Sequence, residues 1–255
     1  GIAPDAKILP VRIVGSAANP GDGSGLAQAI DYSVSKGVQI ISVSLGASPN
    51  DAIRTSVRQA LASGVIVVAS VGNSGSSLEV RAPAIYEGVL VVGAIDHEGR
   101  RATVSLPAPE VVIAAPGVDI VTTGLNGTYG SGSGTSEATA IVSGAAALVR
   151  SKFPNLSAAE VVHRLTATAT DAGAPGRDEE YGYGVLNLID ALTKDVPPLQ
   201  PSVAASRTPT ATRASPDPSD GQHNVPRWAL AAVVLLALMA AGGMWAAMRD
   251  RSPKQ

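Results

Sequence analysis

Residues 65–75 read Val-Ile-Val-Val-Ala-Ser-Val-Gly-Asn-Ser-Gly, an apolar run that ends abruptly in small and polar residues. Apolar side chains at successive rather than alternate positions are typical of a strand that is buried on both faces of a parallel sheet. Four other β-branched runs have the same character, at 6–14, 38–45, 89–95 and 111–115. The sequence therefore predicts a parallel sheet built from these five segments.

Helical patterns lie between and after the predicted strands. Apolar residues recur every four positions in two of them, at Leu26, Ile30 and Val34 and at Ile53, Val57 and Leu61. The second pattern follows Asn50, a residue type that favours the helix N-cap. A third helix is predicted at Ser157 and Glu160, which have the spacing of a capping box. Alternating strands and helices predict an α/β fold, a doubly wound and mostly parallel sheet, for residues 1–195.

The C-terminal sixty residues have a different composition. Residues 196–225 are rich in Pro, Ser and Thr and carry no apolar period, which predicts a linker. Residues 228–248 carry no charge and would span about 30 Å as a helix, so a transmembrane helix is predicted at 226–249. Three basic residues follow this run and one, Arg227, precedes it. The tail, 250–255, is therefore expected to be cytoplasmic and the α/β domain to lie outside a cell membrane that the chain crosses once.

The overall composition excludes several classes of function. The net charge of −2 and an aromatic content of 3% argue against a nucleic-acid-binding surface. The absence of cysteine excludes thiolate metal sites and disulfides. Asp and Glu are scattered without the spacing of metal ligands, and no phosphate-binding loop with its lysine occurs. No cofactor and no metal site are therefore expected.

Two segments contain candidates for chemistry. A Gly/Ser-rich loop is predicted over 129–134. Gly134-Thr-Ser-Glu-Ala138 then opens an alanine-rich helix, so backbone N–H groups would converge beside the hydroxyl of Ser136, as a nucleophile for acyl transfer requires. Taken alone, Ser136 is better explained as an ordinary N-cap. Asn73 follows the strand at 65–71, at the edge where open α/β sheets bind ligands. Its amide could donate to an oxyanion, or Asn73 could simply be a turn residue.

These segments belong to an ordered series of motifs. Ser44-Leu-Gly46, Gly72-Asn73, Ala115-Pro-Gly117 and Gly134-Thr-Ser136 follow one another in the order found in subtilases, and residues 1–193 resemble the C-terminal two-thirds of such a protease. The resemblance implies that Ser136 is the nucleophile and that Asn73 and the Ser136 N–H form the oxyanion hole. It also implies that Ser44, Leu45 and Gly46 line the substrate cleft and pair with an extended peptide.

Within the subtilases, the sequence is most similar to the mycosins of type VII secretion systems. Mycosins also end in a Pro-rich linker, one transmembrane helix and a short tail, and Ala140-Ile141 replaces the Pro-His of most subtilases. This resemblance implies a protein substrate outside the membrane and other membrane proteins of a secretion complex as partners. Glu137 departs from the apolar residue usual after the nucleophile. An anionic neighbour is expected to influence reactivity or substrate preference.

A serine nucleophile needs a base, which the chain does not offer. None of His97, His163 and His223 is followed by the Gly-Thr that subtilases place after their histidine, and no Asp-Ser-Gly or Asp-Thr-Gly ends a strand. Subtilisin spacing puts the histidine about 20 residues before Gly1 and the aspartate further upstream. The complete protein is expected to be a serine endopeptidase and this fragment to be inactive; a non-catalytic scaffold of a secretion complex is the alternative.

Overall fold

A four-stranded parallel sheet forms the centre of the fold. The computed structural model of the protein describes residues 1–13, 24–75 and 79–199. Its strands are β1 (Ile40–Val43), β2 (Ile66–Ser70), β3 (Leu90–Ile95) and β4 (Ile113–Pro116), in the order β1-β2-β3-β4. All three pairings are parallel, which confirms the parallel α/β fold predicted from four of the five apolar runs.

The sheet is buried on both faces, as the unbroken apolar runs predicted. In β2, Val67 and Ala69 face a core built with helices α1 (Ser24–Ser35) and α2 (Asp51–Ala62). Their neighbours Ile66 and Val68 face a second core built with the later helices. Because successive strand residues point to opposite faces, a strand covered on both sides needs an apolar residue at every position.

The three later helices are α3 (Thr135–Lys152), α4 (Ala158–Ala167) and α5 (Leu188–Thr193). The predicted caps are confirmed: the Ile53 N–H donates to Asn50 Oδ1 at 2.9 Å, and Ser157 and Glu160 form a complete capping box at α4. These side chains satisfy N–H groups that have no partner within the helix. The helix starts could therefore be read from a few neighbouring residues.

Helix α3 runs through the centre of the domain and contacts all four strands. Ala138, Val142 and Ala145 on its inner face are fully buried. Gly144 faces the N-terminal segment so closely that a Cβ there would lie 2.9 Å from Ile2 Cβ. The small residues of α3 therefore allow the close packing that brings its first turn to the edge of the sheet.

The predicted strand at 6–14 is wrong for its described part, residues 6–13. These residues belong to no strand; Ile8 is 82% exposed, and the N–H of Ala6 donates to Ala3 O in a turn. An apolar run predicts that a segment suits a strand, but a strand forms only by pairing with a neighbour. Residues 6–13 have no such pairing in the described part of the chain.

An antiparallel hairpin stands where the sequence predicted a Gly/Ser-rich loop. Strand β5 (Ile120–Thr123) pairs with β6 (Tyr129–Gly132) across a short 3-10 helix, Leu125–Gly127. Gly is depleted in strands and clusters of Gly and Ser are typical of loops, so composition alone favoured a loop over 129–134. Pairing with β5 overrides that preference and delivers the chain directly to the start of α3.

The predicted transmembrane helix at 226–249 and tail at 250–255 lie outside the described residues, as does the predicted linker from residue 200 onward. Residues 196–199, the first of that linker, are in no helix or strand. Over 1–13, 24–75 and 79–199, no helix combines the length and the apolar character needed to cross a membrane.

Candidate active site

The residues singled out in the sequence meet at one edge of the sheet. Ser44 directly follows β1, Asn73 comes shortly after β2, and Gly117 directly follows β4. Parallel strands end at the same edge, which is where open α/β sheets bind their ligands. The hairpin then brings Ser136, the second residue of α3, to this edge.

Asn73 is held against the first turn of α3 by its side-chain carbonyl. Oδ1 accepts two hydrogen bonds from Thr135, from the N–H at 3.0 Å and from the hydroxyl at 2.8 Å. The amide nitrogen lies beside Gly134, where a Cβ would be 3.0 Å from Nδ2 and 3.6 Å from Oδ1. The donor end of the Asn73 side chain thus lies beside Gly134, in the turn that leads to Ser136.

Thr135 is the site residue that the sequence analysis missed. Thr135 is buried, and both its backbone N–H and its side-chain hydroxyl donate hydrogen bonds to Asn73 Oδ1. A threonine before a candidate nucleophile carries no sign of what its hydroxyl will contact. Only the meeting of two segments that lie 62 residues apart in sequence shows that Thr135 orients Asn73.

Gly117 sets the position of the loop before Ser136. The N–H of Gly134 donates to Gly117 O at 2.7 Å. A Cβ on Gly117 would lie 2.6 Å from Ala94 Cβ and 2.7 Å from Gly134 O, well inside normal contact distances. Because Gly117 has no side chain, the loop around Gly134 (the 134 loop) can lie directly on the end of the sheet.

Ser136 lies half-buried in the first turn of α3. This turn has backbone N–H groups without intrahelical acceptors, and the helix dipole there favours developing negative charge. The hydroxyl of Ser44 donates to the backbone carbonyl of Ser136 at 3.3 Å, so the end of β1 is tied to the same turn. The arrangement offers a hydroxyl, a helix N-terminus and an amide side chain in one place.

The segment Ser44–Gly46 is open to solvent along one side. Ser44 and Gly46 are exposed and Leu45 is half-buried. Just beyond it, Ala47 pairs with Ala82 through two backbone hydrogen bonds of 2.9 and 3.1 Å, so the backbone continues in an extended form. An exposed, extended backbone of this kind can accept a peptide as an additional strand.

The two histidines of the described residues have other surroundings. His97 Nε2 lies 3.6 Å from Asp119 Oδ2 in an exposed pair, and His163 lines an apolar groove beside Val162 and Tyr183. His97 follows β3 and so lies at the same edge of the sheet as Ser136, but its contact is with Asp119. Neither contact gives Ser136 the imidazole base that acyl transfer needs.

Asp96, also at this edge, is a turn residue. Its carboxylate accepts hydrogen bonds from the N–H of Glu98, the N–H of Arg100 and the Arg100 guanidinium, at 2.9–3.0 Å. Desolvation acts to raise the pKa of Asp96, but the hydrogen bonds and charge of Arg100 outweigh it and hold that pKa below its usual range. A carboxylate held ionised in this way is suited to fixing a turn rather than to proton transfer.

Comparison with known proteins assigns a family to this arrangement. Residues 1–184 match the subtilase family of S8 peptidases. Subtilisin DY from Bacillus licheniformis is 39% identical over 192 residues, which cover 74% of this chain and 69% of the subtilisin. Subtilisin E from Bacillus subtilis (strain 168) is 38% identical over 192 residues, 74% of this chain and 49% of that protein, so the chain spans about half the length of several curated relatives.

The solved structures point to the same group of proteins. MycP1 from the ESX-1 type VII secretion system has 30% sequence identity to the chain and a TM-score of 0.61. The match covers 69% of this chain and 56% of MycP1. The fold and the sequence therefore agree on the assignment that the ordered motifs predicted.

Proposed function

The chain belongs to the subtilase family, and from this premise we propose that the complete protein is a serine endopeptidase that cleaves peptide bonds through an acyl-enzyme on Ser136. The observation that carries the proposal is the double hydrogen bond between Thr135 and Asn73, which orients an amide beside the candidate nucleophile. These bonds fix the acceptor end of the Asn73 side chain, and its donor end, Nδ2, lies beside Gly134 in the turn that leads to Ser136. A donor at that place is what an oxyanion hole requires.

In the proposed reaction, Ser136 Oγ attacks the carbonyl carbon of the scissile bond and loses its proton to a base. The carbonyl oxygen becomes an oxyanion that accepts hydrogen bonds from Asn73 Nδ2 and the Ser136 N–H. Collapse of this intermediate expels the amine, which takes the proton from the base, and water then hydrolyses the acyl-enzyme. In this proposal the base is a histidine that an aspartate orients, as in the subtilisin triad.

We propose that a polypeptide is the substrate and that it binds along Ser44–Gly46. An extended peptide paired with this backbone would run along the edge of the sheet past Ser136, to which Ser44 is hydrogen-bonded. Main-chain pairing supplies affinity without demanding a particular sequence. Discrimination between peptides must then come from side chains near the scissile bond.

Labelling by a fluorophosphonate probe tests the nucleophile. The complete protein should react covalently at Ser136, and Ser136→Ala should abolish labelling. Ser143→Ala is the matched control, because Ser143 lies in the same helix and its hydroxyl donates to Thr139 O. Labelling that persists in Ser136→Ala would overturn the assignment. A complete, folded protein that never labels would favour the non-catalytic scaffold.

We further propose that residues 226–249 anchor the protease in the cell membrane with its domain outside, as part of a type VII secretion complex. The uncharged run 228–248 and the basic residues after it support the anchor, and the similarity to MycP1 supports the secretion system. A flexible linker of thirty residues has an end-to-end distance of about 30 Å, which would hold the domain near the membrane.

Protease protection tests this topology. Protease added to intact spheroplasts should cut within 196–225 and release the folded domain, whereas a tag placed after Gln255 should be digested only after permeabilisation. Digestion of the tag in intact spheroplasts, with the domain protected, would show the opposite orientation. Recovery of the full-length chain in the soluble fraction would refute the anchor.

A further inference from the structure

Glu137 directly follows the proposed nucleophile and occupies the third position of α3. We propose that its carboxylate makes the site select peptides with a lysine or arginine side chain next to the scissile bond. The inference rests on the proposed endopeptidase function and deepens it by naming the substrate class. It follows from the place of the carboxylate, from the contacts that it lacks, and from the charge of its surroundings.

The carboxylate of Glu137 lies over the loop that precedes Ser136. A Cβ on Gly132 would overlap Glu137 Oε1, so the carboxylate rests directly against that glycine. A Cβ on Gly134 would lie 3.1 Å from Glu137 Oε2 and 3.0 Å from Asn73 Nδ2. Glu137 Oε2 and Asn73 Nδ2 therefore both lie next to Gly134, which precedes Ser136 by two residues.

The helix does not use this carboxylate as a cap. Glu160 holds the same third position in α4, and there the carboxylate accepts hydrogen bonds from the N–H and the hydroxyl of Ser157, at 2.8 and 2.7 Å. At α3 the equivalent residue is Gly134, which has no hydroxyl and whose N–H is given to Gly117 O. Glu137 therefore cannot form the capping box that Glu160 forms in α4.

The carboxylate also has no cationic partner in the described part of the chain. None of the ion pairs formed among residues 1–13, 24–75 and 79–199 involves Glu137. Ser44–Gly46, Asn73 and Gly134–Ser136 carry no formal charge, and the guanidinium of Arg81, which packs against Gly46, donates to Ser48 Oγ at 2.9 Å. Glu137 is half-buried, so its negative charge is screened less than that of a fully exposed residue.

A bound peptide would change the surroundings of this carboxylate in two ways. Covering it removes water, and burial of an unpaired charge is costly unless the peptide brings a partner. A Lys or Arg side chain supplies that partner, whereas an uncharged side chain leaves the cost in place. In addition, the fixed negative charge opposes the oxyanion that develops beside Asn73, and a substrate cation offsets this repulsion.

Paired peptide substrates test the inference in the complete protein. Each pair differs only in Lys against norleucine on one side of the scissile bond, and kcat/KM is measured for both members. Wild type should prefer Lys by about tenfold at low salt, which corresponds to about 1.4 kcal/mol. In Glu137→Gln the preference should fall to about unity, with a higher kcat on the norleucine peptide. Added NaCl should weaken the preference of wild type only.

Two further variants make the test decisive. Glu160→Gln removes a carboxylate from the same position of α4 and should keep the wild-type preference. Glu137→Lys should favour an Asp peptide over the Lys peptide. A wild-type enzyme that labels at Ser136 but shows no lysine preference, or a Glu137→Gln variant that keeps it, overturns this inference alone. Absence of labelling at Ser136 overturns the proposed function and the inference together.

Discussion

Replacing Gly117 by alanine should displace the loop that leads to Ser136, the proposed nucleophile. The added Cβ would lie 2.6 Å from Ala94 Cβ and 2.7 Å from Gly134 O. Non-bonded carbon atoms prefer about 3.5–4.0 Å, so these neighbours must separate by about 1 Å. Ala94 is buried in β3 and cannot yield easily. The displacement should therefore fall on Gly134, and with it on Thr135 and Ser136.

The expected loss follows from the size of this displacement. A misplacement of about 1 Å in a catalytic constellation costs about 10²-fold in rate, so kcat of Gly117→Ala in the complete protein should fall by about that factor. Overpacking should also lower the stability by about 1–3 kcal/mol, or a few degrees in Tm. Steady-state kinetics on a peptide substrate and thermal unfolding measure the two effects separately.

Gly130→Ala is the matched control for this experiment. Gly130 lies in β6, and a Cβ there meets no atom within 4 Å. This variant should have wild-type kcat and Tm. If Gly117→Ala stays within threefold of wild type in kcat with an unchanged Tm, the close contact between Gly117 and the 134 loop does not position the nucleophile, and the reasoning is refuted.

Two other substitutions test the site and a helix cap. Asn73→Ala should lower kcat by about 10²–10³ with little change in KM, because the oxyanion forms only in the transition state; steady-state kinetics within twofold of wild type would identify Asn73 as a turn residue. The hydrogen bonds from Ser157 lower the pKa of Glu160 from its ordinary 4.5. Its contribution to stability is therefore present above about pH 4.5 and is lost as the pH falls through the lowered pKa. The Tm difference between wild type and Glu160→Gln should accordingly be constant near neutral pH and shrink as the pH falls below 4.5 and through the lowered pKa, and a difference independent of pH would contradict the assignment.

The helix starts were predictable because their signals are local. The contacts of Asn50 with Ile53, and of Ser157 with Glu160, each span three residues and are visible as residue types at that spacing. The apolar runs of β1 to β4 were predictable for a similar reason, since burial on both faces requires an apolar residue at each position. The subtilase resemblance, carried by four ordered motifs, is confirmed by the family match.

The errors lie where pairing between distant segments decides the structure. Residues 6–13 have the composition of a strand but form no strand. Tyr129–Gly132 has the composition of a loop but forms strand β6. In both cases the outcome depends on whether another segment offers backbone groups to pair with. Neither composition nor periodicity contains that information.

The sequence by itself determined the fold class, the family and the small set of residues around which a site could form. Residue type and order suffice for these, because burial and helix capping act over a few positions and strands of one direction end at one edge. Only the tertiary structure decided that Thr135 fixes the side-chain amide of Asn73 and that the 134 loop packs against Gly117. It also decided that the Glu137 carboxylate lies beside Gly134 without forming a capping box. Each of these features depends on contacts of about 3 Å between particular atoms, and such contacts form when segments that are distant in the chain pack together.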